Sequence, residues 1–140
     1  MKTYQKTIHL PAFPRGFHLI TEKLLVEFPE IKNIETGIFH VFIQHTSAGL
    51  TINENADPTV RKDFETFIND LIPEHYNKFI HDYEGSDDMP AHIKSSFFGS
   101  SVQIPIQNGR LLLGTWQGIY LCEFRNYGGS RKLILSAFGN

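Results

Sequence analysis

The sequence predicts an α+β fold with largely antiparallel, sandwich-like sheets and two to three helices. Three observations lead to this prediction: alternating apolar residues fill the last third of the chain, amphipathic helical segments interrupt the earlier strands, and hairpin turns join neighbouring strands. The length of 140 residues and the hydrophobic content of 41% fit one domain, residues 1–140, with a core of its own.

The first 54 residues predict three strands and one helix. Residues 3–10 alternate weakly and predict a strand, whereas apolar residues at helical spacing over 17–31 predict a helix that ends near Pro29. Residues 36–44 are β-branched and aromatic, and residues 48–54 follow almost at once, so each segment predicts a strand.

The middle of the chain predicts a second helix followed by a long loop. Asp57-Pro58 is a typical helix start, with a capping carboxylate before a proline, and apolar residues on one face extend the helix over 58–72. Residues 73–88 are polar and carry little periodicity, which is typical of a functional or mobile loop. A short helix is predicted to begin around Pro90.

The C-terminal third predicts strands joined by turns. Residues 102–106 alternate, and Asn108-Gly109 is a strong signal for a type I′ hairpin turn. Residues 116–124 and 131–138 predict two more strands. Pro105 indicates that its strand lies at an edge or contains a bulge.

The composition argues against several classes of partner. The formal net charge of −2 is poorly suited to nucleic acid or anionic lipid, and no long apolar run predicts a membrane span. Cys122 is the single cysteine and cannot form an internal disulfide, and the first ten residues lack the apolar core of a signal peptide. A reduced, cytoplasmic protein is therefore expected.

His45 and Glu54 are the first candidates for chemistry. His45 continues the apolar parity of the strand that precedes it, and Glu54 continues the parity of the next strand. A histidine and a carboxylate at the mouth of a pocket would suit proton transfer or metal binding. The alternative interpretation is that both residues are ordinary polar groups at exposed strand ends.

The second candidate is the segment before and within the predicted third helix. His92 would lie in the first turn of a helix that begins at Pro90, where the helix dipole favours a neutral ring, and Asp87 or Asp88 would cap the helix. The separation of His81 and His92 matches no common zinc motif, so a structural helix start remains the alternative. A metal here would take nitrogen and oxygen ligands, as Zn²⁺ or another divalent ion does.

Two further features lie in the predicted strands near the C-terminus. Glycines flank Thr115, Trp116 and Gln117, which indicates a bulge or a close backbone approach, although a core tryptophan is the simpler interpretation. Glu123 shares the parity of apolar neighbours and needs a partner if it is buried. Three arginines are candidates for that partner: Arg110, Arg125 and Arg131.

Several of these segments together resemble the YjbQ family. The resemblance runs in order over nearly the whole chain, and it is carried by QHTSA (44–48), NEN (53–55), DPTVR (57–61), HDYEG (81–85), DDMP (87–90), HIKSS (92–96) and GTWQGI (114–119). RGFHL (15–19) and GGSR (128–131) are also similar to bacterial members.

The resemblance implies a homotrimer of compact α+β subunits and a weak or secondary thiamine-phosphate synthase activity. That reaction joins a pyrimidine diphosphate to a thiazole phosphate and releases pyrophosphate, so it benefits from a divalent ion, Zn²⁺ or Mg²⁺, or from cationic groups on the diphosphate. A non-catalytic trimeric module that binds a metabolite or a metal is the alternative. A third interpretation places the histidines at the trimer interface.

The family motifs also imply a set of site residues. The implied catalytic residues are His45, Glu54, Asp88 and Glu123, and the implied metal ligands are His45, His81 and His92. The implied contacts to a small phosphorylated metabolite are Thr46, Ser47, Asn55, Lys94, Arg110, Thr115 and Gln117, with Lys94 or Arg110 holding a phosphate.

Overall fold

Eight strands form two antiparallel sheets in the computed structural model, which describes residues 1–140. The strands are β1 (Lys2–Leu10), β2 (Gly16–Leu19), β3 (Thr36–Ile43), β4 (Ala48–Glu54), β5 (Ser101–Gln107), β6 (Arg110–Leu111), β7 (Gln117–Glu123) and β8 (Arg131–Gly139). The five-stranded sheet has the order β1-β8-β3-β5-β6, and the three-stranded sheet has the order β2-β7-β4.

Three α-helices accompany the sheets: α1 (Thr21–Glu27), α2 (Pro58–Leu71) and α3 (Asp88–Phe98). A 3-10 helix, Pro29–Asn33, follows α1. The predicted N-cap is confirmed, because the Asp57 carboxylate accepts a hydrogen bond from the backbone N–H of Thr59 at 2.9 Å. None of the helices is both long enough and apolar enough to cross a membrane.

The molecule has three layers, two sheets and a layer of helices, with an apolar core between each neighbouring pair. The larger core lies between the two sheets and includes Leu24 and Phe28 from the helical segment that follows β2. The smaller core lies between the three-stranded sheet and helices α2 and α3, and it contains Phe17, Tyr120 and Cys122. Side-chain alternation in β7 serves both cores, because successive residues of a strand point to opposite faces.

The α+β fold with antiparallel sheets is confirmed, and most predicted strands are present. The predicted hairpin turn has positive φ angles of 51° at Asn108 and 73° at Gly109, as a type I′ turn requires. The strand after it is short, since only Arg110–Leu111 pairs with β5. Pro105 therefore lies in β5, next to the two-residue edge strand β6.

The helix predicted over 17–31 is wrong at its beginning. The segment Gly16–Leu19 is strand β2, which pairs with β7 and places Phe17 opposite Cys122. The remainder is divided into α1 and the 3-10 helix, with Pro29 at the start of the latter. Pairing with a strand about a hundred residues away overrides the helical periodicity, which is a purely local signal.

Candidate metal centre and adjoining depression

His81, Asp88 and His92 converge at the start of α3. One ligand atom from each lies within 4.8 Å of the others, an arrangement that could hold a metal ion. Asp88 Oδ2 is 2.8 Å from His81 Nε2 and 3.3 Å from His92 Nε2. The carboxylate is buried, with 1% of its side chain exposed, whereas the two imidazoles are about one-third exposed at 36% and 31%.

Helix geometry and one arginine position the carboxylate. Asp88 and His92 are four residues apart on α3 and therefore share a face of the helix. Arg125 contacts Asp88 Oδ1 through Nη1 at 2.5 Å and donates from Nε to Asp87 Oδ2 at 2.9 Å. His81 reaches the cluster from the loop between α2 and α3.

The helix start differs from its predicted form. Helix α3 begins at Asp88 rather than at Pro90, and Asp87 occupies the N-cap position without making a side-chain cap. The Asp87 carboxylate instead accepts hydrogen bonds from Arg125 and from the backbone N–H of Asn126, both at 2.9 Å. Asp87 is therefore engaged by Arg125 and Asn126 and Asp88 by the cluster, and the expected side-chain cap is absent.

Opposing effects set the charge of Asp88. Burial raises the pKa of the Asp88 carboxyl, but the hydrogen bond with His81 and the charges of Arg125 and His92 outweigh burial and hold the pKa below its usual value. The carboxylate is therefore ionised near neutral pH, which is the form that binds a metal ion.

A hydrogen bond fixes the tautomer of His92. Nδ1 of His92 is 2.9 Å from the carbonyl oxygen of Thr46, and a carbonyl oxygen can only accept, so Nδ1 carries a proton. In the neutral ring, Nε2 then presents its lone pair to the Asp88 carboxylate. The Nε2 lone pair and the carboxylate oxygen repel each other unless a positive charge lies between them. A proton on Nε2 or a bound metal ion would supply that charge.

A depression of about 420 Å³ adjoins this cluster and contains both His45 and His92. Its other lining residues are mainly small and uncharged: Thr46, Ala48, Ser95, Ser96, Gly99 and Ser100. Ser95 donates to the carbonyl oxygen of Thr46 at 2.7 Å, so its own oxygen keeps lone pairs available. The depression therefore offers neutral polar groups beside the candidate metal centre.

His45 is not one of the three converging residues, although the resemblance implies that it is a metal ligand. Its Nε2 accepts a hydrogen bond from the backbone N–H of Lys132 at 2.8 Å, and its Nδ1 lies 3.4 Å from Arg131 Nη1. Partial burial and the positive charges of Arg131 and Lys132 lower the pKa of His45, against the opposing charge of Glu123. The ring is therefore neutral near pH 7 and is already engaged by the protein.

The predicted buried partner of Glu123 is Arg131. Glu123 is fully buried and Arg131 is 4% exposed, and two hydrogen bonds of 2.7 and 2.6 Å join them. Ser47, expected to contact a substrate, is buried as well, and its hydroxyl accepts from Arg131 at 3.0 Å. These three residues form a support behind His45.

The structure separates Glu54 from His45. The two residues flank opposite ends of β4, whose seven residues extend about 20 Å. The Glu54 carboxylate accepts a hydrogen bond from the backbone N–H of Asp57 at 3.1 Å, in the turn that leads into α2. The expected pairing of a histidine and a carboxylate at one pocket mouth is therefore wrong within the chain.

Other predicted contacts to a metabolite are also dispersed. Asn55, Arg110 and Gln117 line a different depression of about 450 Å³, and Thr115 is exposed in the neighbouring turn. Lys94 is 1% exposed and donates to Asn69 Oδ1 at 2.7 Å, and burial lowers its pKa to about 8. Neither Lys94 nor Arg110 lines the depression that contains His45 and His92.

Sequence reasoning missed the serines of the depression and assigned no role in the cluster to Arg125. Ser95 and Ser96 follow His92 by three and four residues, so their helical spacing could have placed them beside it. Arg125 gave no comparable signal, because its contacts with Asp87 and Asp88 join segments almost forty residues apart.

Comparison with known proteins identifies the relatives of this chain. Residues 6–140 match the family described as "UPF0047 protein YjbQ-like". The chain belongs to the YjbQ/UPF0047 family. It is 51% identical to the UPF0047 protein YjbQ of Escherichia coli O157:H7, over 97% of this chain and 98% of that protein. It is 49% identical to UPF0047 protein sll1880 of Synechocystis, over 99% and 93% of the two chains.

Solved structures of the YjbQ/UPF0047 family share the fold. An uncharacterised member from Clostridium acetobutylicum is 38% identical with a TM-score of 0.79, over 95% of this chain and 99% of that chain. A protein of unknown function from Sulfolobus solfataricus has a TM-score of 0.86 at 23% identity, over 99% of each chain, which supports the fold alone. These names state no reaction, so family membership establishes the architecture rather than the chemistry.

Proposed function

We propose that this protein is a metal-dependent enzyme acting on a small phosphorylated metabolite, with a divalent ion held by His81, Asp88 and His92. The observation that carries the proposal is the convergence of two imidazole nitrogens and one buried carboxylate oxygen within 4.8 Å. Two nitrogen ligands and one oxygen ligand favour Zn²⁺ over Mg²⁺, which prefers oxygen ligands. Three protein ligands would leave coordination positions open for a substrate, as in catalytic zinc sites.

The charges of the cluster favour an anionic ligand once a metal is bound. Asp87 and Asp88 supply two negative charges and Arg125 supplies one positive charge, so the cluster has a net negative charge. A divalent ion would reverse that sign and would polarise an oxygen of the metabolite as a Lewis acid. The hydroxyl groups beside His92 would orient the metabolite, because Ser95 and Ser96 are exposed to the depression.

Zinc binding to the purified apo-protein tests the metal centre. Isothermal titration calorimetry is expected to give one ion per chain, and His81→Ala and His92→Ala are each expected to weaken binding by at least about tenfold, since even indirect partners of a metal site cost that much. His9→Ala is the matched control, because His9 is exposed on the edge strand β1. The metal centre is disproved if both cluster variants bind zinc as the control does.

Thiamine-phosphate formation is the first reaction to assay, because the family resemblance implies it. Apo-protein and metal-loaded protein are incubated with the pyrimidine diphosphate and the thiazole phosphate, and the release of pyrophosphate is measured. Turnover that requires the ion and is lost in His92→Ala would support the proposal. Metal binding without turnover of these substrates would contradict this reaction and favour the non-catalytic metabolite- or metal-binding module.

We also infer from the resemblance that the protein acts as a homotrimer in the cytoplasm. Sedimentation velocity of the purified chain measures the assembly directly, with a trimer mass as the expected result and a monomer mass as the contrary one. Repeating the measurement at about pH 6 tests whether histidine protonation dissociates the assembly, as the interface interpretation of the histidines predicts.

A further inference from the structure

The buried ion pair of Glu123 and Arg131 lies next to His45, and one guanidinium nitrogen of Arg131 is directed at the histidine ring. Arg131 uses Nε and Nη2 for its two hydrogen bonds to Glu123, and Nη2 also donates to Ser47 Oγ. The remaining nitrogen, Nη1, has a single neighbour within hydrogen-bond distance, Nδ1 of His45 at 3.4 Å. Whether that contact is a hydrogen bond depends on which nitrogen of His45 carries the proton.

The backbone of β8 decides the tautomer. The N–H of Lys132 points at His45 Nε2 at 2.8 Å, and a backbone N–H can only donate, so Nε2 is unprotonated. The single proton of a neutral imidazole must then be on Nδ1. His45 Nδ1 and Arg131 Nη1 are consequently two donors that face each other without an acceptor between them.

We propose that this donor pair binds an anionic oxygen of a ligand that occupies the depression containing His45 and His92. An oxygen that accepts from both donors would satisfy His45 Nδ1 and the otherwise unpaired arm of Arg131, and an unsatisfied buried donor is costly. Arg131 is 96% buried against its carboxylate partner, so its position is fixed before a ligand arrives. The site is therefore preorganised, and phosphate and carboxylate groups share the chemistry that it recognises.

The electrostatic surroundings agree with an anionic ligand. Lys132 is exposed beside His45 and contributes a positive charge at the ring. Arg131 does not itself line the depression and reaches it only through its contact with His45, and the lining residues other than the two histidines are uncharged, so no carboxylate among them competes for the donors. In this arrangement His45 donates a hydrogen bond to the ligand, rather than accepting a proton or binding the metal.

Nuclear magnetic resonance of the intact protein in the presence of a chelator tests this site independently of any metal. Long-range proton–nitrogen spectra of the imidazole rings are expected to show His45 in the Nδ1–H tautomer, its signals being assigned by their absence in His45→Phe. Inorganic phosphate and acetate, added in separate titrations, are expected to shift the His45 signals and the Nε–H signal of Arg131. The anion that binds more tightly identifies the class of ligand.

The His45→Phe variant measures the contribution of the donor pair. It removes the Nδ1–H donor, and the affinity for the preferred anion is expected to fall about tenfold or more, as for the loss of one hydrogen bond to a charged group. His40→Phe is the matched control, because His40 lies on the opposite face of β3, paired with Ser136 of β8.

Three results would overturn the inference. The first is an Nε2–H tautomer at His45, which would allow Nδ1 to accept from Arg131 and leave no free donor pair. The second is the absence of any response to both anions, and the third is unchanged anion affinity in folded His45→Phe. Because a chelator is present throughout, these results leave the zinc-binding test of His81, Asp88 and His92 unaffected.

Discussion

At the scale of single residues, the pair of Glu123 and Arg131 determines how His45 is presented. Both side chains are almost completely buried, and their charges are matched by two short hydrogen bonds. Gly128 covers the pair so closely that a Cβ atom there would lie 2.2 Å from Glu123 Oε1. The glycine is therefore required by close approach, because any side chain at this position would displace the carboxylate.

Glu123→Ala is expected to lower the free energy of unfolding by about 3–5 kcal/mol, since it leaves the Arg131 guanidinium buried and unpaired. Urea unfolding followed by circular dichroism measures the loss. The double variant Glu123→Met/Arg131→Met is the control, because replacing a buried pair with apolar side chains of similar volume removes the unpaired charge. A double variant less stable than Glu123→Ala would contradict this account.

At the scale of elements, the loop between α2 and α3 is held mainly by polar contacts. Glu74 binds Arg15 and accepts from the Ser86 hydroxyl, and these two hydrogen bonds hold the pKa of the Glu74 carboxyl below its usual value, although burial opposes them. His81 is tied to Asp88, whereas neighbouring Ile80 is 94% exposed. The loop that supplies one proposed metal ligand therefore has little apolar anchoring of its own.

Zinc is expected to slow tryptic cleavage after Lys78 severalfold, because Lys78 is exposed in this loop and coordination of His81 would restrain the chain nearby. Cleavage rates with and without zinc are measured by mass spectrometry of the fragments. The His81→Ala variant serves as control and should show no protection by zinc. Equal protection of the variant and the parent protein would mean that the ion acts elsewhere.

The same elements show which features the sequence could predict. Helix α2 was predictable, because its cap at Asp57 and its apolar face are encoded within fifteen residues. Strand β2 was not, since it depends on pairing with the distant β7. At the site, the four-residue spacing of Asp88 and His92 is local, but the approach of His81 depends on how the loop folds. Family motifs singled out His45, His81 and His92 as candidates, while their tautomers required atomic contacts.

At the scale of the whole molecule, the candidate site lies where the three layers meet. Residues 44–47 carry the chain from the five-stranded to the three-stranded sheet, and α3 brings the helical layer against β4. Lys94 on the same helix is buried above the ring of Phe124, with its ammonium group 5.9 Å from the ring centroid. Burial and the charge of Arg15 lower its pKa, and the charges of Glu65, Glu74 and Asp87 oppose that effect.

Lys94 is expected to make the folded protein more stable as pH rises from about 8 to 10. Its pKa is lowered from 10.5 to about 8 in the folded state, so in this range the unfolded chain holds a proton that the folded protein has released. The free energy of unfolding therefore rises with pH. Below about pH 8 both states hold the proton, so Lys94 gives no pH dependence there.

Urea unfolding of the parent protein and Lys94→Met over this pH range isolates that contribution. The parent protein is expected to gain stability relative to the variant as pH rises, because methionine retains the apolar stem and cannot titrate. Other ionisable groups are common to both proteins and cancel in the difference. A stability difference that is independent of pH would show that Lys94 keeps its ordinary pKa in the folded state.

The placement of Cys122 between β7 and the helices has a practical consequence. Burial raises the pKa of this thiol, so it stays protonated and shielded from reagents while the protein is folded. A cysteine introduced at Tyr83, which is 77% exposed and whose ring stands edge-on to His81 at 4.9 Å, would thus be the sole reactive sulfur. A fluorophore attached there would report the occupancy of the neighbouring cluster without removal of the native cysteine.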